Sequence, residues 1–258
     1  MSSDGREGSC EFPVARDEPS TMLTYLKSTT HPWVSLLFLV PLLAAYEGGI
    51  FYLGGDRTYV AAQADSWVRG MLENYGAAQV YTAPAVVIVV LLVWSWWRWS
   101  DRPADPISTC FGMAFESAIF AFLLWQFSRN FQPIVEHFGL RLEVAARPVA
   151  AAQVLTFVGA GIYEEVLFRL GLFTILALVL RTLMLPGVVA ITLAGVLSAL
   201  AFAAAHHVGE FGEPMQPYVF LFRFLAGLYF AALYSFRGFG IAVGAHAGYD
   251  VLVGVTVR

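Results

Sequence analysis

Apolar residues dominate seven stretches of this chain, at about 33–53, 78–98, 108–130, 149–184, 187–206, 216–236 and 240–257. At 1.5 Å per residue, a stretch of about 20 residues matches the roughly 30 Å hydrocarbon core of a bilayer. The pattern predicts an all-α fold, a polytopic membrane helix bundle with seven transmembrane helices, or eight if the long fourth stretch breaks near Leu170-Gly171. Residues 1 to about 31 are polar and acidic, with no apolar core before His31-Pro32. They resemble neither a signal peptide nor a lipoprotein signal leading to Cys10, and are expected to be a disordered tail. Between the first two stretches, residues 59–75 mix Val, Ala, Trp67, Val68 and Met71 with Asp65, Arg69 and Glu73. That mixture suits either a helix lying at the membrane interface or an ordinary loop helix. The expected division is a tail (1–31), N-terminal transmembrane helices with an interfacial segment (32–148) and a C-terminal core (149–258).

Composition excludes several classes. With 58% hydrophobic and 13% charged residues, the chain lies far from the roughly 25% charged content of soluble domains. A net charge of −4, dispersed and without a Lys/Arg cluster, gives no footprint for nucleic acid. Cys10 and Cys110 are the only cysteines, which rules out a disulfide framework or a CxxC metal site. Trp94, Trp96, Trp97, Arg98 and Trp99 end the second stretch as an aromatic belt with a basic anchor. Of the 15 basic residues all but Lys27 are arginine. With the short loops, this skew points to a bacterial plasma membrane. Basic residues balance across the two sides of a seven-span layout, so charge alone does not orient it.

Chemistry enters with Glu164, Glu165 and Arg169, placed in the middle of the fourth stretch. Each ionised side chain at mid-membrane costs roughly 2.5–3.5 kcal/mol on insertion scales, so three together call for a protein-lined or wet cavity. Four residues on a helix advance about 40° around the axis, so Glu165 and Arg169 can pair while Glu164 projects about 100° away. One carboxylate is held and the other is left for work. Phe202 and His206 repeat the spacing at the end of an apolar helix, and the alanines between them allow close approach by a neighbour. His246 and Asp250 share a face in the same way, so the acid can orient the imidazole or line a pocket beside it. Gly240, Gly244 and Gly248 fall on the opposite side of that helix and suit close packing. His207 reads as an interhelical hydrogen-bond partner. Glu47 and Glu116 are further intramembrane acids that weigh more as structural groups than as site members, and Arg223 reads as a partner for one of them.

The ordered set Glu-Glu-x-x-x-Arg, Phe-x-x-x-His and His-x-x-x-Asp, over roughly residues 149–258, resembles that of the CAAX-processing and bacteriocin-processing (CPBP, or abortive-infection) intramembrane endopeptidases. The resemblance implies a multi-span helical protease that cuts a peptide bond of a membrane-associated protein, including prenylated or C-terminally anchored ones. In that reading Glu164 and His206 activate a water, His246 and Asp250 stabilise the oxyanion, and Glu165, Arg169 and Phe202 support them. No cofactor is implied. Family members often carry Asn where this chain has Asp250; an ionised Asp donates no hydrogen bond. Either Asp250 is protonated or it orients His246.

Other readings remain. Glu164, His206, His246 and Asp250 include an N/O donor set for zinc, although there is no His-Glu-x-x-His. Serine chemistry lacks a Gly-x-Ser-x-Gly, and Ser198 and Ser235 have no evident base. A transporter or an immunity scaffold would also bury Glu, His and Asp. The expected partners are a peptide or protein substrate and the lipid bilayer.

Overall fold

Helix starts coincide with proline: Pro32, Pro106 and Pro217 each open a long apolar helix, where the missing N–H costs nothing. The computed structural model describes residues 21–52, 63–73, 82–137, 151–208, 212 and 214–256. Among them the chain is all-helical. In order the helices are α1 (Thr21–Thr29), α2 (Pro32–Tyr52), α3 (Gln63–Glu73), α4 (Thr82–Trp97), α5 (Pro106–His137), α6 (Ala151–Glu165), α7 (Thr174–Thr182), α8 (Gly187–Ala205), α9 (Pro217–Arg237) and α10 (Phe239–Thr256). Five are long and apolar enough to cross a membrane: α2, α5 over Pro106–Phe131, α8, α9 and α10; α4 is a shorter apolar helix.

The long fourth stretch does not break at Leu170-Gly171. A π-helix, Val166–Phe173, joins α6 to α7, and helical dihedrals at Glu165 and Thr174 carry the backbone through without a turn. π-helical geometry loosens the ordinary i to i−4 ladder, and side chains serve the carbonyls here. Ser198 Oγ donates to Phe168 O at 2.6 Å, and Thr174 Oγ1 to Arg169 O at 3.0 Å.

Helix α10 packs on α5, α6, α9 and α2. Gly240, Gly244 and Gly248 face Met113, Ser117 and Ala121 of α5 in step, a register that requires α5 and α10 to run parallel. A Cβ at Gly244 would lie 2.5 Å from Ser117 Oγ. On another side Gly161 of α6 meets the α10 backbone at Ala247 N, 2.6 Å from where a Cβ would stand. Glycine thus lets α10 sit closer to two neighbours than any side chain would allow. Helices α8 and α9 also touch through a small pair, Ala199 and Gly227, one turn before the alanines expected to do this.

One expectation changes. Residues 21–29, placed in the disordered tail, form α1, which is anchored: Tyr25 Oη donates to Glu116 Oε2 at 2.9 Å, and Glu116 also pairs with Arg237. Burial, with the neighbouring carboxylate, pushes the Tyr25 phenol well above its ordinary range, so it stays a donor. The rest of the tail, Cys10 included, lies outside the described residues. The helix expected within 59–75 is α3, which packs on α4 and α6 and turns Asp65 and Arg69 inward. Asp65 is fully buried, accepts from Tyr46 Oη at 3.0 Å and pairs with Arg69 at 2.7 Å; Arg69 also reaches Glu47 at 2.9 Å, which accepts from Tyr163 Oη at 3.1 Å.

Candidate active site

Where α6 passes into the π-helix, adjacent Glu164 and Glu165 point to different surroundings. Glu165 and Arg169 are both 0% exposed and pair at 3.1 Å. Glu164, His206 and Asp250 keep 13%, 17% and 23% of their side-chain surface. They line a cavity of about 460 Å³ together with His246, inside the roughly 300–1,000 Å³ range of ligand sites. The inner pair is sealed, while the outer side chains keep part of their surface; Glu164 Oε2 itself is buried without a hydrogen-bond partner among the described residues.

Arg169 is held by one hydrogen bond, the Glu165 ion pair and two aromatic rings, while its Nε and Nη1 are buried without a hydrogen-bond acceptor among the described residues. Its Nη2 donates to Gly227 O at 3.0 Å, and its guanidinium lies 4.5 Å from the Phe202 ring centroid and 5.5 Å from that of Phe230. Such contacts lower the cost of a buried cation.

Glu165 has a second partner that spacing did not suggest. Its Oε1 lies 2.8 Å from His246 Nδ1, and a carboxylate paired with arginine accepts, so Nδ1 carries a proton and Nε2 is turned to the cavity. Phe230 stacks flat on the imidazole, with centroids 4.3 Å apart and planes at 14°, while Phe202 meets it edge-on at 5.8 Å. Glu165 therefore orients His246 from behind. Asp250 Oδ2 lies on the cavity side, 3.6 Å from Nε2.

His206 obeys the same logic. It follows the last residue of α8, and its Nδ1 sits 2.8 Å from Phe202 O. A carbonyl only accepts, so Nδ1 is the donor and Nε2 again faces inward. The Phe202 ring braces it at 4.9 Å. Both Nε2 atoms lie 3.7 Å from Glu164 Oε2, just beyond direct hydrogen-bond reach. All seven residues singled out by the three motifs thus meet in one place.

Other residues fall elsewhere. Glu47 and Glu116 are engaged with Arg69 and Arg237 and do not line the cavity. Arg223 pairs with neither: it lines the cavity beside Glu164 and Asp250, because α9 places it about two turns, roughly 10 Å, from Phe230 on one face. His207 stacks against Phe220. Ser198 and Ser235 donate to the carbonyls of Phe168 and Ala231 and are absent from the cavity wall. Cys110 lines a separate apolar cavity between α2 and α5. Among the described residues no group of three or more His, Cys, Asp or Glu side chains is arranged to hold a metal ion. Phe230 and Arg223 were missed as site residues; an intramembrane arginine was the available signal for the second, and nothing in the sequence distinguished Phe230 from the many aromatics around it.

Residues 146–252 match the family model of the Rce1-like type II CAAX prenyl endopeptidases. No curated protein and no solved structure matches the chain.

Proposed function

We propose, from the premise that residues 146–252 belong to the Rce1-like type II CAAX prenyl endopeptidase family, that this chain hydrolyses a peptide bond of a membrane-associated protein through a glutamate-activated water. The observation that carries the reading is the placement of Glu164 Oε2 at 3.7 Å from Nε2 of both His206 and His246. A gap of that size fits one shared hydrogen-bonding species, and both imidazoles are locked from behind with Nε2 forward.

In this mechanism Glu164 takes a proton from water, helped by His206. The water oxygen bonds to the carbonyl carbon of the scissile peptide, and the carbonyl electrons move onto its oxygen. That oxyanion lies toward His246 and Asp250. Since Nδ1–H of His246 is given to Glu165, donation from Nε2 requires the imidazolium form. Of the two roles open to Asp250, the site favours the protonated carboxyl beside the oxyanion, because Glu165 already occupies the orienting position. Collapse breaks the C–N bond, and the proton held by Glu164 passes to the leaving amine. Preorganised donors of this kind are worth about 3–4 kcal/mol each in the transition state.

For the fold we propose seven crossings: α2, α4, α5, the α6–π–α7 rod, α8, α9 and α10. The parallel register of α5 with α10 supports the layout, since two crossings, α8 and α9, and the α6–π–α7 rod separate them. The bacterial plasma membrane is the proposed location, and no cofactor is required.

The test is cleavage of membrane-associated peptides, prenylated and not, by purified detergent-solubilised protein. Glu164→Gln and His206→Ala are each expected to lower turnover by about 10²–10⁴-fold, the usual worth of general acid–base groups, and a strong chelator is expected to leave the wild type active. Loss with chelator and recovery with zinc would move the site to a zinc protease. Cleavage of no substrate, with both variants keeping the biological effect of the wild type, would sink the protease reading in favour of a transporter or scaffold.

A further inference from the structure

Away from the proposed active site, the end of α1 with the turn before α2 and the residues that lead from α4 into α5 enclose a second polar pocket of about 540 Å³. Its walls include Lys27, Ser28, Thr30, Arg98, Asp101 and Arg102. Three cations against one carboxylate is an unusual balance in a chain of net charge −4, and here they come from segments separated by some seventy residues of sequence.

The pocket is built from several fixed pieces. His31 Nε2 donates to Arg98 O at 2.9 Å and its Nδ1 accepts from the Trp33 amide at 3.2 Å, which ties the end of α4 to the α1–α2 junction. Burial holds the His31 imidazole below its ordinary value, so it serves as a neutral strut. Arg98 Nη1 donates to Thr30 O at 3.3 Å. The Arg102 guanidinium lies over two indoles, 4.6 Å from the ring centroids of both Trp33 and Trp99. Two cation–π contacts hold the guanidinium in place through its charge, and its N–H groups remain the part that suits a tetrahedral oxyanion. The Ser28 and Thr30 hydroxyls already donate to Thr24 O and Lys27 O, so the donors offered to a ligand are cationic.

Depth in the membrane identifies the ligand. Pro32 opens the membrane-crossing α2, Pro106 opens the membrane-crossing α5, and the apolar α4 ends at Trp97. Trp96, Trp97 and Trp99 are 75%, 84% and 57% exposed, as expected of rings lying at the headgroup level. Basic pockets between helix ends at this depth bind acidic lipid headgroups. We propose that Lys27, Arg98 and Arg102 form a binding site for the phosphate of an anionic phospholipid, with Trp33 and Trp99 fixing the geometry of Arg102. The site is independent of the proposed proteolysis.

The experiment is titration of the delipidated full-length protein in neutral detergent with phosphatidylglycerol, phosphatidylcholine and inorganic phosphate, read by native mass spectrometry and by retention of lipid through gel filtration. Phosphatidylglycerol should bind at least tenfold tighter than phosphatidylcholine, and the preference should shrink as salt rises. Removing one cation, as in Lys27→Gln or Arg102→Gln, should reduce it roughly fivefold, whereas Arg181→Gln, outside the pocket, should leave it unchanged. Equal binding of the two lipids by the wild type, or loss of preference in none of the pocket variants, would overturn the proposal. Inorganic phosphate that competes as well as the lipid would replace it with a free-phosphate site. The salt dependence of the wild type decides the matter even if a variant fails to fold.

Discussion

At the residue scale, the two adjacent glutamates illustrate how one step along a helix separates two jobs. Glu165 is sealed between Arg169 and His246, whereas Glu164 keeps an open side to the cavity. The consequences of neutralising them should differ in kind. Glu164→Gln removes no ion pair with Arg169, so the protein should keep its thermal unfolding midpoint in detergent while turnover collapses. Glu165→Gln strands a fully buried guanidinium, and breaking one partner of such a pair costs about 3–5 kcal/mol. It should lower the midpoint sharply, and it should also free the Nδ1 side of His246. Thermal unfolding and turnover measured on both variants check this; equal midpoints would show that Arg169 does not depend on Glu165.

At the scale of elements, the glycine ladder of α10 sets where His246 stands. Gly244→Ala would place a methyl 2.5 Å from Ser117 Oγ and 2.9 Å from its Cβ, so α5 and α10 must separate, at about 1–3 kcal/mol for overpacking. Gly248→Ala meets only Ala121 Cβ at 3.0 Å and should cost less. As a control, Gly70 of α3 has nothing within 4 Å of an added Cβ; Gly70→Ala should be neutral or stabilising by up to about 1 kcal/mol from helix propensity. Unfolding midpoints should rank the three in that order, and cleavage should fall with Gly244→Ala because His246 and Asp250 ride on the displaced helix. The π-helix is the complementary device. It carries Arg169 toward Gly227 while Ser198 and Thr174 satisfy the carbonyls the looser turn leaves over.

Across the whole molecule, charges that composition alone would send to the surface staple the N-terminal half to the core. Tyr25, Glu116 and Arg237 join α1, α5 and α9. Tyr46, Asp65, Arg69, Glu47 and Tyr163 join α2, α3 and α6, and Tyr163 directly precedes Glu164. Arg69→Met should therefore destabilise by about 3–5 kcal/mol, because Asp65 and Glu47 lose their shared cation. Limited proteolysis should then cut near α3 before the remaining bundle. Resistance equal to the wild type would mean that α3 is held by its apolar contacts alone.

Much of this was written into the sequence. Hydrophobic length dictated helices and a membrane, because only a closed hydrogen-bonded backbone survives in hydrocarbon. The four-residue spacings of Glu165 with Arg169, Phe202 with His206 and His246 with Asp250 dictated which side chains share a face. Spacing within one helix carries no information about neighbours, however. That Glu165 of α6 holds His246 of α10, that Phe230 of α9 stacks on that imidazole, and that Arg223 lines the cavity rather than pairing with Glu47 or Glu116 all depend on how helices dock. The same holds for α3: its sequence admitted an interfacial helix, and the burial of Asp65 beside Arg69 became possible only because Tyr46, Glu47 and Tyr163 wait on two other helices. Local chemistry and periodicity determined the parts; the pairing of distant charges, which must be satisfied in a medium without water, decided their assembly.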